Sequence, residues 1–260
     1  MHPAPSVIVF TTLSGLGFGK LAWMGLGFPV VSGRMAYFMF AVAYALAVGG
    51  LLASTFHLGH PERAMKAFTQ WRSSWLSREG VVSVAALLVM ALYAAGLVFF
   101  GAHWALLGWI GAGLSLLTVF CTAMIYAQLD TIPRWKTPLT PVLFLALSIA
   151  GGALLSGQVV AAMVLLPIAA ACQVGWWLRG DGAFGLAGST LATATGLGDR
   201  GAVRAFAPPH TGTNYLLREF AFEVGRKHVD KLRLIALILG FLVPFSLLWL
   251  PFSHALALIA

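Results

Sequence analysis

Long stretches of this chain carry almost no charge, and the charges it has are gathered into three loops between those stretches. In water, each stretch would leave a continuous apolar surface uncovered. In hydrocarbon the constraint moves to the backbone, whose N–H and C=O groups must be satisfied internally, and this leaves only helices and closed barrels. The stretches lack strict two-residue alternation, and barrel strands need only about 10 residues, so helices are expected. Hydrophobic residues make up 60% of the chain and charged residues 9%, against about 45–50% and about 25% in a soluble domain. The predicted fold is all-α: a polytopic transmembrane helix bundle, with residues 1–260 forming one integral-membrane unit.

A span needs about 20 apolar residues. Runs at 35–56, 80–100, 104–128 and 234–250 each suffice for one crossing, and the run at 142–178 is long enough for two, breaking at Ser156-Gly157-Gln158, its only polar spot. The segment 6–28, which contains Lys20, is the first span. The count is therefore seven spans, plus the start of an eighth where apolar residues resume after Pro251. No basic residue precedes the first apolar run and no clear small-x-small site closes it, so it is expected to stay as a membrane helix rather than be cleaved as a signal peptide. Cys121 and Cys172 lie in apolar segments without CxxC spacing and are expected to be buried structural thiols.

The formal net charge is +8 and the pI is about 10.0. In a soluble protein this would suggest nucleic acid, but here Lys and Arg have a simpler explanation: they are retained in loops that are not translocated. Fourteen of the 16 basic residues fall in alternate loops, at about 57–79, 129–141 and 179–233; Lys20 and Arg34 are the exceptions. The rule places these loops and the N-terminus in the cytoplasm, so the docking face of this multi-pass protein is predicted to be cytoplasmic. Pro61 suits the first turn of a short helix over 64–71. Residues 180–210 are expected to be irregular. Leu216, Phe220, Val224 and His228 form one stripe of an expected amphipathic helix over 214–233, lying at the interface.

His57 ends the second span and Glu79 begins the third, so both fall on one membrane face. An imidazole and a carboxyl there suit a quinone, which enters from lipid and moves two protons with each electron pair. A structural reading also stands, in which Glu79 pairs with Arg78 or Arg63 and His57 favourably ends its helix. Tyr126 and Asp130 close the fourth span on the same face. Tyr126, Trp71, Trp75 and Trp135 are either belt residues or part of a pocket for a flat ring. Lys20, a charge within a span, is a functional candidate by default, or it snorkels. No pair of intrahelical histidines is available to ligate a haem, and two cysteines are too few for iron–sulfur clusters. No metal site is expected, and any onward electron carriers must belong to a partner.

Four segments share a pattern: His2-Pro3-Ala4 with Ser6-Val7-Ile8; His57-Leu58-Gly59-x-Pro61-x-Arg63; Ser74-x-Leu76-Ser77-Arg78-Glu79; and Tyr126-x-x-x-Asp130-Thr131-x-Pro133-x-Trp135. In this pattern the chain resembles the membrane-anchor subunits of the dimethyl sulfoxide reductase family, with the motifs in order along most of its length. The resemblance implies an eight-helix, haem-free anchor in a bacterial inner membrane. It would hold an iron–sulfur subunit and a molybdopterin catalytic subunit to the lipid and exchange electrons with ubiquinone or menaquinone. It places the quinone-site histidine and glutamate at His57 and Glu79; from their position on the same face, Tyr126 is expected beside them, with Arg63, Arg78, Trp71, Trp75 and Asp130 as candidate pocket or supporting residues.

The long third loop, with Thr211-Gly212-Thr213 before Asn214 and Tyr215, looks like the branch serving cytoplasmic sulfite-oxidising enzymes. That branch agrees with the charge rule, whereas the reductase branch, with its catalytic subunits outside, does not. Arg134, Trp135, Asn214, Tyr215, Arg218, Arg226 and Lys227 are the expected docking residues for the partner. The alternatives are an anchor of a dimethyl sulfoxide-type reductase oxidising menaquinol, or a purely structural tether with no quinone site of its own.

Overall fold

Small residues face inward and large apolar ones outward, the reverse of a soluble protein. In the computed structural model, which describes residues 5–57, 65–66, 68–207, 212 and 223–250, Ala36, Ala43, Ala47, Ala86 and Ala153 are fully buried, while Phe38, Leu52, Leu88, Leu92, Leu106 and Val164 are exposed. Lipid tails are as apolar as leucine, so helices gain nothing by hiding leucine from them. They gain by letting backbones approach at small residues.

Six helices carry this pattern: α1 (Pro5–Gly25), α2 (Gly33–Ala53), α3 (Trp75–Ala95), α4 (Ala105–Ala127), α5 (Leu139–Leu155) and α6 (Val159–Leu186). A 3₁₀ turn, Ser54–His57, extends α2, and a π turn, Gly96–Phe100, extends α3. Short helices α7 (Leu191–Thr195) and α8 (Glu223–Lys227) follow. α9 (Val229–Leu237), a π turn at Ile238–Leu242 and α10 (Val243–Leu247) then run end to end. No strand occurs among the described residues. Five described helices are long and apolar enough to cross a membrane, and α5 is shorter at 17 residues. The expected break at Ser156-Gly157-Gln158 is where α5 ends and α6 begins, with Gly157 at φ 64°.

α1 is the axis of the bundle, packing on α2, α4 and α5. Gly17 lies against Ala47, and Gly50 against Ser14, so α2 runs antiparallel to α1. Gly19 lies against Ser148, Gly152 lies against Gly19, and the Ser148 hydroxyl donates to the Gly15 carbonyl at 2.6 Å. Gly15-x-x-x-Gly19 thus meets Ser148-x-x-x-Gly152 in parallel register, a small-xxx-small contact. α3 pairs chiefly with α4. α2 meets α3 through long side chains: the Phe40 and Tyr93 rings, 6.1 Å apart, and a 2.6 Å hydrogen bond from the Tyr44 hydroxyl to the Leu87 carbonyl.

Three expectations are corrected. Lys20 does not snorkel into water: it is 1% exposed, and its ammonium donates to the Leu155 carbonyl at the C-terminal end of α5 and approaches Met39 Sδ at 3.6 Å. A cation there meets the negative end of the helix dipole. The chain after Gly180 is not irregular at once, because α6 continues to Leu186. Asp181 explains the extension, since its carboxylate accepts from Arg134 at 2.8 Å and from Arg233 at 2.6 and 2.9 Å, tying this last part of α6 to the second loop and to α9. The third span begins earlier than its apolar run, at Trp75, so Arg78 and Glu79 are helical.

Candidate functional site

The ends of α2, α4 and α6 and the starts of α1, α3 and α5 share one end of the bundle, and the described parts of the three polar loops lie there. Glu79 sits one turn into α3 and is 4% exposed. Its Oε1 accepts from the Thr122 hydroxyl at 2.5 Å, and the same hydroxyl lies 3.1 Å from the Thr118 carbonyl. Thr122 is on α4, the helix most closely packed on α3. Ser115, Thr118 and Thr122 are spaced three and four residues apart on one face of α4 and are all buried, so the hairpin interior carries a polar stripe that leads to the carboxyl.

Arg78 does not pair with Glu79. Its guanidinium donates to the carbonyls of Trp71 at 3.0 Å and Arg72 at 2.7 Å, and it stacks over the Trp75 ring at 4.2 Å. This pins the first loop to α3 and leaves the Glu79 carboxyl to α4. Trp75 packs edge-on against Phe120, with centroids 5.9 Å apart. Trp71 is half exposed beneath Arg72. Tyr126, one turn beyond Thr122 on the same face, packs edge-on against Trp135 at 5.3 Å and beside Phe144 at 5.6 Å.

His57 closes the 3₁₀ turn after α2, at the same end of the bundle as Glu79. Of the other sequence candidates, Arg63, Asn214, Tyr215 and Arg218 lie outside the described residues, as does the Leu216 and Phe220 part of the expected amphipathic stripe; of the expected helix over 64–71, residues 65, 66 and 68 are in 3₁₀ conformation and 69–71 form a turn, so its described residues make no α-helix. Asp130 is exposed and paired with Lys136 at 2.6 Å, a contact of little energetic weight. Arg134 is engaged with Asp181, so it is already spent on an internal contact. Arg226 and Lys227 end α8 and are exposed. No cluster of three or more potential metal ligands occurs among the described residues.

Sequence reasoning missed Thr122, Asp181 and Arg233. Thr122 was findable, because a Ser/Thr stripe at helical spacing inside an apolar span marks a polar inner face. Asp181 and Arg233 are 52 residues apart, and no local signal pairs them. Two cavities are also present. One, of 260 Å³, lies at the loop-bearing end between Trp176, Trp177, Arg134, Val229, Leu232 and Arg233. The other, of 280 Å³, lies at the opposite end beside Tyr93 and His103. Neither is lined by Glu79 or Tyr126.

Residues 2–178 match the family model described as DMSO reductase anchor subunit (DmsC). The chain is 34% identical to the C subunit of the sulfite dehydrogenase of Allochromatium vinosum, an alignment covering 97% of this chain and 87% of that protein. It is 28% identical to the anaerobic dimethyl sulfoxide reductase chain YnfH of Escherichia coli, over 61% of this chain and 56% of that one. No solved structure matches it.

Proposed function

We propose a quinone-reactive role for this chain, which belongs to the DMSO reductase anchor subunit (DmsC) family. It is the membrane anchor of an oxidoreductase complex of that family, and in our reading a haem-free one. It crosses a bacterial inner membrane seven times, with α5 and the 229–247 helix as the fifth and seventh spans and the polar loops in the cytoplasm. Those loops hold an iron–sulfur subunit and, through it, a molybdopterin catalytic subunit. The complex oxidises sulfite and passes the electrons to quinone. The long, near-complete similarity to the C subunit of a sulfite dehydrogenase supports this direction over the menaquinol-oxidising alternative.

The observation that carries the quinone role is Glu79, a buried carboxyl at the loop-bearing end whose described hydrogen-bond partner is a hydroxyl rather than a cation. One Thr122 hydrogen cannot serve both Glu79 and the Thr118 carbonyl. When the carboxyl carries a proton and donates it to Thr122 Oγ1, the hydroxyl is free to donate to Thr118, and both contacts are satisfied. The arrangement can therefore hold a proton and release it. A bound quinone supplies the two-electron chemistry. Glu79 holds a proton near one ring oxygen, His57 provides a hydrogen-bonding group at the other side, and Tyr126 with Trp135 and Phe144 forms an aromatic wall. Trp75 and Arg78, in the first turn of α3, and Arg63, Trp71 and Asp130, from the loop sequences, support the pocket. A purely structural tether needs no buried carboxyl there.

The complex purified through a tag on this chain is expected to contain both partner subunits and to turn over sulfite with a soluble quinone. Retention of the partners without quinone-linked turnover would leave the tether reading in its place. Docking is expected on the loops that contain Arg134, Trp135, residues 214–218, Arg226 and Lys227. Cross-links confined to the short opposite connections would refute that placement. The orientation has its own test, motivated by fourteen basic residues in alternate loops. A reporter active only outside the cytoplasm, fused within 187–198, is expected to be silent, and activity there would reverse the topology.

A further inference from the structure

At the end of the bundle opposite the loops, the connection after α1 folds over the ends of α3 and α4 and forms one side of the partly open 280 Å³ cavity. It is lined by Gly27, Pro29, Val30, Val31, Ser32, Tyr93, Leu97, Gly101 and His103. Tyr93 is 0% exposed, and its hydroxyl has no hydrogen-bond partner among the described residues. A buried hydroxyl left unpaired costs more than an ordinary hydrogen bond gains, so an orphan phenol lining a cavity points to a ligand. The ring is held firmly in place. It packs edge-on against Phe40 at 6.1 Å and His103 at 5.7 Å, and it fills the space left by Gly108, where a Cβ would lie 3.1 Å from Tyr93 Cζ. Gly27, at φ 86°, gives the same close approach to the His103 ring.

The lining also says what the ligand is. It contains no Lys, Arg, Asp or Glu, so a charged group entering it would lose its hydration without a counterion. Valine, proline and leucine supply four of the nine lining residues. The lining residues with polar side chains are Tyr93, Ser32 and His103. We propose that this cavity is a binding site for the carbonyl-bearing head of a neutral amphiphile entering from the outer leaflet, with Tyr93 donating to its carbonyl oxygen. Two molecules in a membrane present this chemistry, a quinone ring and a lipid ester. Tyr93 is fourteen residues beyond Glu79 along α3, about 21 Å at 1.5 Å per residue, so the site is distinct from the proposed quinone-reactive one and involves no electron transfer.

The test uses the full chain in detergent micelles, carrying Glu79→Gln so that the other site does not contribute a protonating group. Ubiquinone-1 and a diacylglycerol, a neutral lipid ester, are titrated separately and binding is read by native mass spectrometry. Tyr93→Phe, which keeps the ring and removes the hydroxyl, is expected to weaken binding about 3- to 10-fold, and Val31→Trp, which fills the cavity, to abolish it. A loss seen with ubiquinone-1 identifies the ligand as quinone, and a loss seen with diacylglycerol identifies it as lipid. Unchanged binding of both probes in both variants, with the variants eluting as the parent does, overturns the proposal. Because Glu79 is already neutral in every sample, failure here leaves the quinone-reactive reading untouched.

Discussion

Glu79→Gln is expected to lower quinone-linked turnover of the complex by about 10²-fold, the low end of the range for a general acid or base, while sulfite oxidation with an artificial dye stays at the parental rate. Glutamine has the shape of the carboxyl and keeps an acceptor for Thr122, so α3 and α4 remain paired. What it loses is the exchangeable proton. The dye takes electrons from the partner subunits directly and bypasses this chain, which separates a proton-transfer defect from a failure of assembly. The low end is expected because water can substitute at an interfacial site. Thr122→Val, which leaves Glu79 buried without its described partner, is expected to give a smaller loss and a shifted pH profile. His57→Ala is expected to resemble Glu79→Gln. Normal assembly with unchanged quinone-linked rates in both Glu79→Gln and His57→Ala would sink the site.

The second large effect is structural. Gly19→Leu is expected to abolish folding into the membrane, because a Cβ at Gly19 collides with the Ser148 backbone carbonyl and not with a movable side-chain tip. Overpacking where side chains can yield costs about 1–3 kcal/mol. Here the obstacle is the backbone of α5, so α1 and α5 must separate, losing the Ser148 to Gly15 hydrogen bond and the seat of Lys20 with it. Gly113→Leu is the control: it lies on α4 with open space where its Cβ would point, and it is expected to express and elute as the parent does. Size-exclusion profiles in detergent measure both. A monodisperse Gly19→Leu protein with a parental unfolding midpoint would refute the packing account.

The placement of the candidate site was half legible. His57 and Glu79 could be assigned to one end of the bundle from span boundaries alone, because each stands at the junction of an apolar run and a polar loop. The partners of Glu79 could not be assigned this way. Arg78 is its chain neighbour and Thr122 is 43 residues away, yet successive residues on a helix point about 100° apart. Arg78 turns back to the loop carbonyls, and Glu79 turns inward to α4. Adjacency in sequence suggested an ion pair, and helix geometry replaced it with a buried hydroxyl contact.

Read residue by residue, the chain already declares itself a bundle of membrane helices and shows where most spans lie, where the run at 142–178 breaks, and which loops share a face. These follow from solvation, since apolar length and charge placement act on each segment independently of its neighbours. Three-dimensional packing was needed to show which helices touch, that α1 is the axis, that Lys20 rests on the end of α5, and that Asp181 fastens Arg134 to Arg233. Those outcomes depend on the direction in which each side chain leaves its helix and on how closely two backbones can approach. Both are properties of pairs of segments, and neither is written in one segment alone.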